Sequence, residues 1–169
     1  MTTAARLTDS TNVPWTEPPT AEEILARIDE LGPGWRERRR ALDEAVEFPH
    51  ENFAEAKAAG LHALTLPTEY GGAGVWLPGR YSHWYEALER MAWWETNTAQ
   101  LLQVHNHAAG IIAWHSTPSQ RDHFLPRIAA GDFCASLGSE AHLYENGAEV
   151  LESELTKVDG GYCLTARKG

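Results

Sequence analysis

The run SLGSEA at positions 136–141 holds the residues best suited to bind a small polar ligand. It follows strand-like sequence, so backbone N–H groups and the hydroxyl of Ser139 would lie together at a strand end. Donors arranged in this way can hold an anion or a polar heterocycle. Ser139 is not a predicted nucleophile, because the run lacks the second glycine of the G-x-S-x-G turn. The pattern therefore predicts a ligand-binding edge without indicating a reaction.

The motif HNH at positions 105–107 is a second candidate, because paired histidines are typical of metal sites. On a helix, residues i and i+2 point about 200° apart, so His105 and His107 cannot share one ion. His115 is too distant from His107 to help, and no carboxylate lies in the segment. Packed or pocket-lining histidines are therefore predicted in place of metal ligands.

The glycines of YGGAGVWLPG at positions 70–79 are a third candidate, for dinucleotide binding. No third glycine falls at the spacing of G-x-G-x-x-G, and no helix begins at the second glycine. These glycines are therefore predicted to serve backbone turns only.

The sequence before residue 131 is mostly helical in its patterns. Positions 20–23 and 117–120 are capping boxes, which pair free backbone N–H groups at a helix start. The segment Asn97–His115 is apolar on almost every side, which is typical of a helix in the middle of a bundle. The first helix is expected to end at Gly32-Pro33-Gly34. Residues 61–74 are expected to form an extended crossing and a glycine-rich loop. The other predicted helices are 49–60, 78–94 and an amphipathic segment after Trp35.

The sequence after Gly131 changes to strand-like patterns. The run DFCASL at 132–137 predicts a strand, and residues 153–168 alternate around Asp159-Gly160-Gly161, which is a hairpin signal. Helices followed by antiparallel strands predict the α+β class. The expected organisation is a disordered arm at 1–19, a helical domain at 20–130 and an incomplete strand domain at 131–169.

The composition excludes several classes of partner. The chain has 169 residues, with 14 basic and 24 acidic side chains and a formal charge of −10. This balance argues against nucleic acid, and the basic run Arg36–Arg40 is interpreted as the solvent-facing side of a helix. No membrane span or secretory signal is expected. Two cysteines without a C-x-x-C pair indicate reduced thiols in a cytoplasmic protein.

Residues 20–169 as a whole resemble the acyl-CoA dehydrogenase superfamily of flavoproteins. Three stretches carry the resemblance in the family order: AAGLHALTLPTEYGGAGV, LLQVHNHAAGIIAWHSTPSQRDHFLPRIAAGDFCASLGSEA and VDGGYCLTARKG. Each stretch is ordinary alone, but their order and separation together are specific. The resemblance implies an N-terminal all-helical bundle domain followed by a truncated antiparallel β-barrel domain. It also implies that the rest of the barrel and a C-terminal helical bundle are missing here.

The resemblance implies a cofactor role for the run at 136–141. Ser136, Leu137, Gly138 and Ser139 stand where relatives present backbone groups and a hydroxyl to the pyrimidine edge of FAD. Glu140 matches a glutamate interpreted as structural. In dehydrogenases of this family the catalytic base lies in the C-terminal bundle, so no residue of this sequence is assigned that role.

The resemblance also implies a substrate role for the predicted helix 97–115. This helix would form a wall of the acyl pocket, and Gln100, Gln103 and His107 are its candidate substrate-binding residues. The alternative for the two glutamines is a solvent-facing position without a role in binding.

Three functions are compatible with these features. The first is an FAD-dependent acyl-CoA dehydrogenase-like oxidoreductase, homo-oligomeric when full length, which acts on an acyl thioester and passes electrons to an electron-transfer flavoprotein. The second is a monooxygenase of the same superfamily, indicated by the altered loop HLYENGAE and by the nearby histidines. It would use reduced FMN or FAD supplied by a flavin reductase. The third is a non-catalytic fragment or assembly module, and the 169 residues alone are expected to be inactive.

Overall fold

The structure, a computed structural model, describes residues 15–135, 143–145, 148–150 and 152–166. A helical unit ends at Ala135, and a unit that contains the strands begins at the next residue. Helices therefore precede antiparallel strands, which confirms the predicted α+β class. The helices are α1 (Ala21–Ala45), α2 (His50–Ala58), α3 (Tyr81–Trp94), α4 (Thr96–His115) and α5 (Pro118–Ala129).

Both predicted capping boxes are present. At the start of α1, the Glu23 N–H donates to Thr20 Oγ1 (3.2 Å) and the Thr20 N–H donates to Glu23 Oε2 (2.7 Å). At the start of α5, Thr117 and Gln120 form the same reciprocal pair, with Pro118 at the first helical position. Each box satisfies backbone N–H groups that have no partner inside the helix.

The prediction that the first helix ends at Gly32-Pro33-Gly34 is wrong. Helix α1 continues to Ala45 with Pro33 inside it. An interior proline costs a helix about 3 kcal/mol, because it removes a hydrogen bond and crowds the preceding turn. Packing on both sides of this site offsets the cost, since Gly32 is buried before the proline and Trp35 is fully buried after it.

We expect Gly32→Ala to lower the free energy of unfolding by about 2 kcal/mol, because the added methyl group overpacks the core. A Cβ at Gly32 would overlap Cδ2 of the Trp94 indole ring, and this ring cannot move aside freely. Gly34→Ala is the matched control, since its Cβ would lie 3.3 Å from Nη1 at the far end of the Arg38 side chain. Helix propensity then favours alanine by up to about 1 kcal/mol. Urea denaturation measures both, and a stabilised Gly32→Ala protein would contradict this packing.

The chain before α1 is packed where the structure describes it. Trp15 is 4% exposed, and its Nε1 donates to Gly60 O at 3.0 Å. The guanidinium of Arg27 lies 3.6 Å above the Trp15 ring, and Pro19 is also buried. The prediction of a disordered arm over residues 1–19 therefore does not hold at Trp15 and Pro19, and residues 1–14 lie outside the described part of the chain.

The prediction of an extended crossing after α2 is wrong, because residues 61–75 form a compact loop. It contains 3-10 turns at Leu61–Ala63 and Thr68–Tyr70. The loop folds back on itself, and the Val75 N–H donates to Leu64 O at 3.0 Å. These internal hydrogen bonds allow the loop to be largely buried between the helices.

Helix α4 is central but not enclosed. It packs against α2, α3, α5 and the turn Leu61–Ala63. Its other side is exposed, with Ile111 at 38% and Trp114 at 48%, so the apolar sequence predicted more burial than the structure shows. The buried residues of α4 are Thr98, Ala99, Leu102, His105, Asn106, Ala108, Ala109, Gly110 and Ala113.

The second unit contains two antiparallel strand pairs among the described residues. Strand β1 (Leu143–Glu145) pairs with β2 (Ala148–Val150), and β3 (Glu154–Val158) pairs with β4 (Gly161–Thr165). The second pair confirms the predicted hairpin. Residues 132–135 contain no strand, and the remainder of the strand predicted at 132–137 is outside the described residues. A barrel remains a prediction.

Candidate functional site

The three predicted substrate residues lie on one side of α4. Gln100, Gln103 and His107 are separated by three and four residues, which places them on one face of a helix. Gln100 and His107 are exposed, and Gln103 is half-buried. We call these three residues the α4 face. Two amides and an imidazole can donate and accept hydrogen bonds, so this face can bind a polar group of a ligand.

Asn106 joins a buried side of α4, next to the α4 face, to the loop 61–75. Its fully buried side chain accepts from the Thr65 N–H at 3.3 Å and donates to Leu61 O at 2.9 Å and to Leu102 O at 3.1 Å. The Thr65 hydroxyl donates to Asn106 O at 2.6 Å. Because these buried groups are paired with one another, rotation of α4 would leave several of them unsatisfied. Asn106 therefore fixes the direction in which the α4 face points.

His105 points into the core, away from the α4 face, and is 2% exposed. Its Nε2–H donates to His62 O at 2.9 Å, so the lone pair of the neutral ring is at Nδ1 and accepts from the Cys134 N–H at 3.0 Å. Cys134 O, 3.2 Å from the same nitrogen, is then not a partner. Burial lowers the pKa of His105, which keeps the ring neutral. The predicted packed histidine is confirmed at this position.

His62 is a second buried histidine, which the sequence analysis did not single out. It is 2% exposed, and its Nε2–H donates to Ala129 O at 3.1 Å. Its buried Nδ1 has no partner among the described residues. Burial lowers the pKa of His62 to about 4, and the hydrogen bond to Ala129 opposes only part of that effect. The two histidines are thus neutral structural groups at neutral pH.

Cys134 is a packed thiol and not a nucleophile. It is half-buried, with Sγ 3.7 Å from Nδ1 of His105. Burial raises the pKa of this thiol, whereas a reactive cysteine needs a lowered one. Nδ1 of His105 already accepts a backbone N–H, so it cannot take the thiol proton.

The described residues contain no group of three or more side chains that could hold a metal ion. His105 is buried and His107 is exposed on the other side of α4, as their spacing predicted. Within the same part of the chain, no helix combines the length and apolar character needed to cross a membrane.

A cavity of about 940 Å³ lies between α1 and α3, away from the α4 face. Its walls include Asp29, Glu86, Glu89 and Trp93. Arg90 pairs with Asp29, so Glu86 and Glu89 leave the cavity acidic. A CoA thioester carries phosphate groups that these carboxylates would repel. The α4 face is therefore the better candidate site for such a ligand.

The predicted flavin contacts Ser136, Leu137, Gly138 and Ser139 lie outside the described residues. The described helical unit ends one residue earlier, at Ala135. Of the predicted site residues, those of the α4 face belong to the described part of the chain.

The sequence of the helical unit matches a known domain family. The profile of the acyl-CoA dehydrogenase N-terminal domain matches residues 28–132, which is more than half of the chain. The chain belongs to the acyl-CoA dehydrogenase family. The match includes α2 to α5 and most of α1, and with them the α4 face and Asn106. Membership of the family predicted from the resemblance is thus confirmed.

Several characterised relatives are similar to this chain. Isovaleryl-CoA dehydrogenase, mitochondrial, of Oryza sativa subsp. japonica is 27% identical over 131 residues, which cover 76% of this chain and 31% of the relative. Dibenzothiophene monooxygenase of Rhodococcus qingshengii is 26% identical over 141 residues, which cover 82% of this chain and 32% of the relative. Acryloyl-CoA reductase (NADH) of Anaerotignum propionicum is 26% identical over 137 residues, which cover 76% of this chain and 34% of the relative.

The chain spans about a third of the length of these relatives. Their names include both acyl-CoA enzymes and a monooxygenase, so likeness alone does not choose between the two reactions. No solved structure matches the chain.

Proposed function

We propose that this chain supplies the substrate-facing helical domain of an FAD-dependent acyl-CoA dehydrogenase-like oxidoreductase. The reaction would be α,β-dehydrogenation of an acyl thioester. One observation carries the proposal: within a domain of this family, α4 presents Gln100, Gln103 and His107 together on its exposed side. Relatives named for acyl-CoA substrates support the choice of substrate class.

The α4 face has chemistry suited to an acyl group next to a polar carbonyl. Its amides and imidazole offer hydrogen bonds, and the half-buried Val104, four residues after Gln100 and three before His107, adds apolar surface to the same side of α4. Binding sites for small molecules typically combine apolar surface with a few polar groups in this way. The buried hydrogen bonds of Asn106 hold the helix in a fixed rotation, so the face is preformed and little ordering is required when a ligand binds.

Ser136, Leu137, Gly138 and Ser139 are the residues proposed to hold FAD, by backbone groups and a hydroxyl. Bound FAD would supply the hydride acceptor for the dehydrogenation. No residue of this chain is proposed as the catalytic base.

Anaerobic mixing of the flavin-loaded, full-length protein with a short-chain acyl-CoA is expected to bleach its flavin absorbance. The reason is that α,β-dehydrogenation transfers two electrons from the acyl group to the cofactor. Free CoA is the control, since it has no acyl group to oxidise. An acyl-CoA series that leaves the absorbance unchanged would contradict the proposed dehydrogenation.

A monooxygenase of the same superfamily is the second candidate, and its support is the similarity to dibenzothiophene monooxygenase over 82% of the chain. Of the two histidines that first suggested it, His107 lies on the α4 face and His105 is committed to the core. This candidate requires a flavin reductase as partner and reduced FMN or FAD. It predicts no anaerobic bleaching and a substrate oxidation that depends on both reduced flavin and oxygen.

The third candidate, a non-catalytic fragment or assembly module, concerns the 169 residues alone. This candidate is supported by the fact that the chain covers about a third of the length of each relative. We propose that these residues alone retain little FAD and have no turnover. The full-length protein is proposed to be a cytoplasmic homo-oligomer whose dehydrogenase form passes electrons to an electron-transfer flavoprotein.

A further inference from the structure

One position on the exposed side of α4 is covered by a residue from another segment. Gly110 lies seven residues after Gln103 and three residues after His107, so it belongs to the same line of positions along the helix. Gly110 is nevertheless buried. A Cβ at Gly110 would lie 2.5 Å from Cε3 and Cζ3 of Trp76. The indole of Trp76 therefore lies directly on the α4 backbone, in space that a larger residue at 110 would occupy.

Trp76 also borders the α4 face. Its ring centroid lies 5.7 Å from that of His107, with the two planes at 63°. Trp114, the next residue along the same line, lies beyond Gly110. The indole thus occupies the surface between His107 and Trp114, at the C-terminal end of the α4 face.

Trp76 is held firmly enough to act as a wall. It directly follows the buried end of the loop 61–75, and its side chain packs against the main hydrophobic cluster of the helical unit. A large aromatic ring with few rotatable bonds loses little entropy when fixed in this way. An apolar group that extends along α4 past His107 would meet this ring.

We infer that Trp76 is a specificity-determining residue that limits the size of the acyl group bound on the α4 face. This inference rests on the proposed function, since it assumes that an acyl thioester binds there. Gly110 contributes to the same limit, because its lack of a side chain allows the Trp76 indole to lie close to the α4 backbone. One methylene group more or less against such a wall changes binding by about tenfold or more.

The test compares the dissociation constants of butyryl-CoA and octanoyl-CoA for the isotope-labelled 169-residue chain. Binding is monitored by nuclear magnetic resonance through the chemical shifts of the α4 face. Trp76→Leu is expected to change the ratio of the two dissociation constants by about tenfold in favour of octanoyl-CoA. Gly110→Ala is expected to shift the ratio in the opposite direction, because its methyl group drives the indole outward. Trp93→Leu, the same substitution in the acidic cavity, is the matched control and leaves the ratio unchanged.

The outcomes separate the two claims. Wild-type binding of acyl-CoA with an unchanged ratio in both Trp76→Leu and Gly110→Ala overturns the role of Trp76 and leaves the proposed function standing. A wild-type chain that shows no shifts on the α4 face with either thioester overturns the inference, whereas the proposed dehydrogenation is rejected separately if the full-length protein shows no flavin bleaching. If Trp76→Leu fails to fold, a ratio unchanged by Gly110→Ala alone is sufficient to reject the inference.

Discussion

Replacing Asn106 with alanine is expected to lower the free energy of unfolding by about 4 kcal/mol. The substitution leaves the Thr65 N–H and Leu61 O without their side-chain partner in a fully buried site. Each buried polar group that loses its hydrogen bond costs about 1–3 kcal/mol, and the lost side-chain volume adds to this. Urea denaturation followed by circular dichroism measures the change.

Asn97→Ala is the control for this prediction. Asn97 lies in the first turn of the same helix and is exposed, so we expect its substitution to change the unfolding free energy by less than about 0.5 kcal/mol. An Asn106→Ala protein as stable as the Asn97→Ala protein would contradict the assignment of Asn106 as the residue that anchors α4.

The second large effect is a loss of stability in acid that depends on His62. Its pKa falls from 6.5 in the unfolded chain to about 4 in the folded protein, chiefly because of burial. Between these values the unfolded chain binds a proton that the folded protein does not, so the free energy of unfolding decreases as the pH falls. The decrease amounts to about 3 kcal/mol at pH 4. His105 acts in the same direction, because burial lowers its pKa also.

His62→Gln separates this effect from general acid denaturation. Glutamine has no proton to gain in this range, and its amide can still donate to Ala129 O. We expect the variant to lose less stability than the wild-type protein between pH 6.5 and pH 4, whereas pH has little influence on either above pH 7. Identical pH dependence of the two proteins, measured by urea denaturation, would show that His62 is protonated or exposed in the folded state.

Local signals in the sequence predicted the local structure well. The capping boxes at positions 20–23 and 117–120 involve residues three apart, so the sequence contains both partners. The hairpin at Asp159-Gly160-Gly161 is also a local pattern, and it lies where the sequence placed it. Such features need no knowledge of the rest of the fold.

Features that depend on distant contacts were missed. Gly32-Pro33-Gly34 has the local signature of a helix end, but burial of Gly32 against Trp94 keeps α1 continuous. The bond from His105 to His62 O joins residues 43 apart. Nothing in the sequence around His62 indicates that its carbonyl oxygen accepts a hydrogen bond from His105. The residues around a buried histidine follow the same hydrophobic pattern as those around a buried apolar residue.

The residues of the α4 face were predicted from the family resemblance, which implies a substrate role for Gln100, Gln103 and His107. Their helical spacing explains why they share a face. Trp76 could not be found in this way, because its contact with Gly110 depends on how the loop 61–75 folds. A glycine inside a helical pattern was the only signal available, and it is compatible with close packing by any bulky neighbour.

The most direct test of the central claim is a map of where an acyl thioester binds. The isotope-labelled chain is titrated with isovaleryl-CoA, and its amide signals, including the side-chain amides of Gln100 and Gln103, are followed by nuclear magnetic resonance. The α4 face as an acyl-binding wall predicts shifts at these two residues and at His107 that free CoA does not produce, with none at Glu86. Shifts confined to the acidic cavity between α1 and α3, or shifts that free CoA reproduces in full, would contradict it.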